Sequence, residues 1–201
     1  MSADLPGIVR LRDRREALTL RTILTAARGL FAERGYARTP IRLIAREAGV
    51  APQTIYAHFG SKAGVLGGLV DLLDDEAGIP DLMARSAAPA EPAELIGLLA
   101  RVSRQVRERC GDIVTILSSG AAVDPDIAAT QAEGARRNRA GVEMIVERIR
   151  DAGGDLDPRA ADIAVALMSA GVHDSLVVDA GWSYDDYEDW LRHTLVTALL
   201  R

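Results

Sequence analysis

The sequence predicts an all-α protein in two parts: a three-helix N-terminal unit containing a helix-turn-helix, residues 1–62, and an all-helical remainder, residues 63–201. Three observations predict it. Apolar residues recur at three- and four-residue spacing along most of the chain, and no sustained period-2 alternation marks a strand. Gly and Pro, often beside Asp, Ser or Thr, punctuate these stretches where helices stop and start. The charge also changes sign: residues 1–62 hold 11 Lys and Arg against 5 Asp and Glu, a balance of +6, whereas residues 63–201 balance at −11.

Taken in order, residues 1–13 read as a frayed arm in which Arg10 and Arg12 begin an arginine cluster continued by Arg14 and Arg15. From about Arg14 to Arg34, Leu20, Ile23, Leu24, Ala27, Leu30 and Phe31 form one apolar stripe, and Gly35 stops the helix. Thr39 is expected to cap the next helix, with Pro40 at its first position. That helix, Pro40 to Ala48, turns at Gly49-Val50 into a second short one starting at Pro52 and reaching about His58. Ser61 is expected to cap a longer helix with Val65, Leu66, Leu69, Val70 and Leu73 facing inward. Residues 78–92, with Gly78 and three prolines, read as a mobile loop. Helices then follow over Ala93 to Cys110, Asp112 to Ser119, Asp124-Pro125 to Gly153, Asp157-Pro158 to about Ala180, and Ser183 to the end.

At 201 residues, with 48% hydrophobic and 26% charged residues, the chain has the composition of a globular protein with a sizeable core. Only 4% is aromatic, so Ala, Leu, Ile and Val must build that core. The lone Cys110 excludes an internal disulfide framework and suits a reducing compartment. With no apolar leader and no stretch long enough to span a bilayer, a cytoplasmic location is expected. Neither metal nor cofactor is expected, because three histidines and one cysteine, widely spaced, make no ligand pattern. His173-Asp174-Ser175 is no catalytic triad either, since consecutive helical residues point about 100° apart. The chain is not expected to be an enzyme.

Two short helices joined by a Gly-containing turn after an amphipathic helix form a helix-turn-helix. Its second helix carries Gln53, which can pair with adenine N6 and N7, and Thr54, which can reach a base edge. Tyr56, His58 and Lys62 carry donors for phosphate oxygens. With the basic balance of residues 1–62, these residues point to duplex DNA. The arginine cluster reads either as an arm touching DNA, Arg14 included, or as a solvated basic end.

The stretch Ile23 to Lys62 resembles the DNA-binding domain of the TetR family of bacterial regulators. The resemblance lies in AA..LFAERGY, Thr39, Ile44-Ala45, Ala48-Gly49-Val50, Thr54-Ile55-Tyr56, His58-Phe59 and Ser61-Lys62. It implies a homodimer on a palindromic operator, with Thr39, Thr54, Tyr56, His58 and Lys62 at DNA-touching positions. Three features depart from the usual pattern. Ala51 replaces a capping Ser, Gln53 stands where Gly is frequent, and Gly64, Gly67 and Gly68 fall in the connecting helix. Those glycines either soften that helix or mark close packing.

The resemblance also implies that the second part senses a small molecule and dimerises. Thr115, Ser118, Ser119, Asn138, Met144 and His173 are the candidate ligand contacts, as polar or soft residues in apolar helices. No Phe, Tyr or Trp lies between Gly60 and Gly181, which favours an aliphatic or lipophilic effector. The ending Gly181 to Leu200 is similar to last helices of TetR-like proteins, and Leu167, Gly171, Trp190, Leu191 and Leu195 are candidates for the dimer face, with an internal core face as the alternative. The expected function is ligand-responsive repression. Two other readings stand beside it: a small-molecule-binding or scaffold protein in which the helix-turn-helix is only a packing unit, and architectural DNA binding, which the acidic second part opposes by repelling the duplex.

Overall fold

The computed structural model describes residues 6–86, 91–122 and 124–201, and its regular elements are helices. They are α1 (Pro6–Arg34), α2 (Ile41–Glu47), α3 (Pro52–Phe59), α4 (Lys62–Glu76), α5 (Ile79–Ser86), α6 (Pro92–Gly120), α7 (Pro125–Asp151), α8 (Ala160–Leu167), α9 (Ala170–His173), a π-helical turn (Asp174–Asp179) and α10 (Tyr184–Leu199). The backbone divides into two compact units. The first holds residues 1–71 with Thr115–Thr130, and the second holds Leu72–Val114 with Gln131–Arg201. A single cut after residue 62 therefore misses both the start of α4 and the return of Thr115–Thr130 to the first unit, which no local pattern announces.

In the first unit, Ile23, Ala27, Leu30 and Phe31 of α1, Ile44 and Ala45 of α2, Ile55 of α3 and Val65, Leu66 and Leu69 of α4 are buried. The turn between α2 and α3 follows from backbone chemistry. Gly49 sits at φ 67°, where a Cβ is disfavoured, and two amides close the end of α2: Val50 N–H donates to Ala45 O at 2.9 Å and Gly49 N–H to Arg46 O at 3.3 Å. Ser61 caps α4 as expected, accepting from Gly64 N–H at 3.0 Å. Thr39 does not cap α2. The N-cap residue is Pro40, and the Thr39 hydroxyl instead donates to Gly35 O at 2.9 Å and Leu30 O at 3.3 Å. Ala51 caps α3 without a side-chain bond, as its methyl requires.

The α4 glycines divide the two readings between them. A Cβ on Gly64 would lie 1.8 Å from Phe59 O, and one on Gly68 would lie 2.9 Å from the Phe59 ring and 3.0 Å from Leu24, whereas Gly67 faces open space. Gly64 and Gly68 are thus close-packing sites.

The second unit is built on Leu95, Ile96 and Leu99 of α6, Val142, Ile145, Val146 and Ile149 of α7, Ala160 and Ala164 of α8, and Tyr187, Leu191, Leu195 and Leu199 of α10. Ser183 caps α10 by accepting from Asp186 N–H at 3.1 Å. A short antiparallel bridge pairs Leu156 with Leu200. Arg104 gathers Glu188 at 3.0 Å, Glu108 at 3.2 Å and Asp185 at 2.5 Å, tying α6 to α10.

Four expectations are corrected here. Residues 1–5 of the expected arm lie outside the described residues, but from Pro6 the chain is already helical, so Arg10, Arg12, Arg14 and Arg15 belong to α1 rather than preceding it. Residues 79–86 of the expected mobile loop form α5, anchored by the buried Leu82; residues 87–90 lie outside the described ones. The two helices expected over residues 93–119 are one, kinked at Cys110 (φ −130°, ψ 18°). The helix expected from Asp157 to Ala180 is broken at Met168–Ser169 by the extended Ser169 (φ −65°, ψ 157°), bends by 45°, and ends in the π-helical turn. Among the described residues no single helix is long and apolar enough to cross a membrane.

Replacing Gly67 by Ala is expected to stabilise the protein by about 0.5–1 kcal/mol, by removing unfolded-state freedom in open space. Gly64→Ala is expected to cost about 1–3 kcal/mol through the clash with Phe59. Thermal or urea unfolding of the two variants reads both signs.

Candidate nucleic-acid interface

Helix α3 gives one side chain to the core, the fully buried Ile55. Gln53, Tyr56, Ala57 and His58 are exposed, and Thr54 is half-buried. Tyr56 keeps 52% of its surface open, and its hydroxyl is a ready donor to an anionic oxygen. Pro52 occupies the first turn, so one amide that no helical carbonyl could satisfy is already absent, and Thr54 N–H donates to Ala51 O at 2.9 Å. His58 closes the helix: its Nδ1 lies 3.6 Å from Glu16 Oε1 on α1.

Lys62 and Thr39 play parts the sequence did not suggest. The Lys62 ammonium donates to Tyr36 O at 3.0 Å and stands 3.9 Å above the Tyr36 ring, so this cation clasps the start of α4 to the turn after α1. Burial pulls its pKa below the ordinary lysine value, while the nearby Asp124 pulls the other way. The Tyr36 phenol is pushed up to about 12, first by burial and then by Asp124 and Asp126. Thr39 is fully buried with its hydroxyl engaged by α1 carbonyls, so it shapes the turn and offers no free donor. Arg14 is exposed on α1. Of the seven expected DNA contacts, then, Gln53, Tyr56 and His58 are gathered and exposed on one helix, with Thr54 beside them.

Sequence reasoning did not single out Arg42 and Arg46, exposed cations on α2. The available signal was their position directly after Thr39-Pro40. A groove of about 610 Å³ between α1 and α2 is lined by Leu18, Arg21, Arg34, Leu43 and Arg46 among others; none of the expected ligand contacts lines it.

The expected ligand contacts are divided between the two units. Thr115, Ser118 and Ser119 are exposed in the first unit, while Asn138 and Met144 are exposed on α7 in the second. The hydroxyls of Ser118 and Ser119 are spent on Thr115 O at 3.2 and 2.7 Å. Only His173 is buried, at 5% exposure. The expected dimer face divides as well. Leu191 and Leu195 are wholly buried in the chain's own core, the internal alternative, because α10 turns its Tyr187–Leu191–Leu195–Leu199 stripe inward. Leu167 and Trp190 are half-buried and Gly171 is exposed.

Comparison with known proteins bears on this arrangement. Residues 23–69 match the family model described as bacterial regulatory proteins, tetR family. An uncharacterised HTH-type transcriptional regulator of Mycobacterium tuberculosis is 45% identical over 51 residues, covering 25% of this chain and 24% of the relative, so the match spans about a quarter of that protein's length. The HTH-type transcriptional regulator UidR of Escherichia coli is 29% identical over 161 residues, 77% of this chain and 76% of the relative. Among solved structures, a TetR-family transcriptional regulator from Syntrophomonas wolfei aligns with TM-score 0.76 at 20% identity, over 90% of this chain and 94% of that one. The regulator FadR from Bacillus subtilis, solved with stearoyl-CoA, aligns with TM-score 0.70 at 20% identity, over 88% and 97%. These two structures share the fold.

Tyr36 ionises near 10.0 when unfolded and near 12 when folded, so its contribution to stability is complete below about pH 10 and is lost as pH rises towards 12. Alkaline unfolding curves are therefore expected to fall through that window for the wild type and to fall less for Tyr36→Phe. Equal slopes in circular dichroism titrations would contradict the burial of this phenol.

Proposed function

We propose that this chain, a member of the TetR family of regulators, is a ligand-responsive transcriptional repressor that binds a palindromic operator as a homodimer and releases it on binding a small lipophilic effector. The observation that carries the reading is the division of α3: Ile55 is buried and Phe59 packs against α4, while Gln53, Tyr56 and His58 are left exposed. A helix kept only for packing has no use for three exposed hydrogen-bonding side chains in consecutive turns. Gln53 and Thr54 read bases, Tyr56 and His58 hold phosphates, and Arg42 and Arg46 add phosphate contacts from α2. Lys62 and Thr39 act indirectly, by fixing the turn that presents α2.

Dimerisation is supported by apolar surface that the second unit leaves uncovered. Val178 is 68% exposed, the half-buried Trp182 and Trp190 meet edge to face at 6.1 Å, and Leu167 is half-buried. A second copy related by two-fold symmetry would cover this surface. The stearoyl-CoA complex of the B. subtilis neighbour supports a lipophilic effector. The chain would act in the cytoplasm, where its DNA lies.

Selection of bound duplexes from a random pool tests the reading: a palindrome is expected, and Gln53→Ala is expected to return a different motif at one position per half-site. Tyr56→Ala should weaken binding about tenfold for all sequences, while Arg42→Ala should lower the salt dependence by about one phosphate contact, both read by fluorescence anisotropy. In sedimentation, Trp190→Arg is expected to yield a folded monomer; an intact dimer would move Trp190 off the interface.

A further inference from the structure

Helices α6, α9 and α10 of the second unit bring together polar groups that the DNA reading does not use. The His173 side chain is 7% exposed, and its Nδ1 lies 2.8 Å from Asp174 Oδ1. A carboxylate accepts, so Nδ1 carries the proton and Nε2 is left as the ring's second polar atom. That atom is buried and has no hydrogen-bond partner among the described residues. Buried polar atoms without partners are uncommon in folded proteins and mark places where something else binds.

The surroundings specify what would bind. The His173 ring stacks on Tyr184, centroids 5.8 Å apart and planes at 28°, and meets the edge of Tyr187 at 5.3 Å and 89°. The Tyr187 hydroxyl is already bonded to Ser103 Oγ at 2.9 Å, and the Tyr184 hydroxyl donates to Arg107 O at 3.4 Å, so neither serves Nε2. Arg107 contributes a partly desolvated cation that interacts with Asp174, Tyr187 and Tyr184. His173 ends α9, between the break at Met168–Ser169 and the π-helical turn that begins at Asp174. π-Helical turns and broken helices accompany functional sites because they leave backbone able to rearrange around a ligand.

We propose that His173, oriented by Asp174, is the polar anchor of an effector site in the second unit that takes a hydroxyl-bearing aromatic molecule. The ligand hydroxyl donates to Nε2, its ring packs against Tyr184, and Arg107 favours an electron-rich ring and disfavours cationic ligands. The inference rests on the regulator reading for the consequence of binding, not for binding itself. It also replaces the aliphatic effector expected from the aromatic-poor middle of the sequence, since the aromatic walls come from α10.

The test uses the full chain with 1-naphthol, 1-methoxynaphthalene, which lacks the donor, and decanoate, in calorimetric titration. The wild type is expected to bind 1-naphthol at least about tenfold tighter than its methyl ether, and to prefer both to decanoate. His173→Leu removes the unpartnered atom without emptying the core and is expected to abolish the preference for the hydroxyl. The side chain of Asp174 is 57% exposed, so Asp174→Asn is expected to fold. Its amide can donate to Nδ1 and turn Nε2 into a donor, so the same preference should shrink or reverse. Equal binding of naphthol and ether by the wild type, no binding of naphthol, or a preference unchanged in both variants would overturn the proposal. Operator binding is read separately by anisotropy. Naphthol binding without operator release upholds the site and overturns the regulator reading; operator selection without naphthol binding does the reverse.

Discussion

Helices of seven and eight residues do not hold their shape in water by their own hydrogen bonds, because nucleating a helix costs more than so few bonds return. Helices α2 and α3 have these lengths, so the surface proposed to meet DNA exists only because neighbours clamp it. Ile44 and Ala45 on one helix and Ile55 on the other are buried almost completely, and the Gly49 turn sets the angle between them. At the other end Lys62 holds the turn around Tyr36 through a carbonyl and a ring, while Thr39 ties the same turn to the last carbonyls of α1. Two residues with donors suited to phosphate are thus spent on positioning. The exposed face of α3 is free to be polar because it carries none of the packing.

The second unit answers a different constraint. Aromatic residues make up 4% of the chain, and four of them, Trp182, Tyr184, Tyr187 and Trp190, fall within nine positions at the start of α10. Tyr187 is wholly buried, bonds Ser103, and touches both His173 and Trp190, so α10 enters the core through one ring with a polar handle. Below it Leu191, Leu195 and Leu199 continue the stripe. The helix is then fully committed inward on that side, and any partner must meet the Trp190 side instead.

Glycine has opposite uses in two neighbouring places. At Gly49 the backbone needs a positive φ; at Gly64 and Gly68 the angle is ordinary, and the absent Cβ makes room for Phe59. Both uses are invisible in composition, yet the first is announced by its place between two short helices, while the second depends on which residue folds over the helix.

What the sequence determined by itself is whatever local chemistry decides: the all-α class, the helix-turn-helix, the caps at Ser61 and Ser183, and the exposed polar set on α3. Periodicity and capping are properties of neighbouring residues and survive being read one window at a time. Only the tertiary structure decided that Thr115–Thr130 belong with the first unit, that Lys62 and Thr39 face a turn rather than solvent, and that Leu191 and Leu195 serve the chain's own core. It alone placed the aromatic rings of α10 against His173. Each of these depends on which of several apolar or polar faces meets a partner distant in sequence, and a stripe at helical spacing looks the same whichever partner covers it.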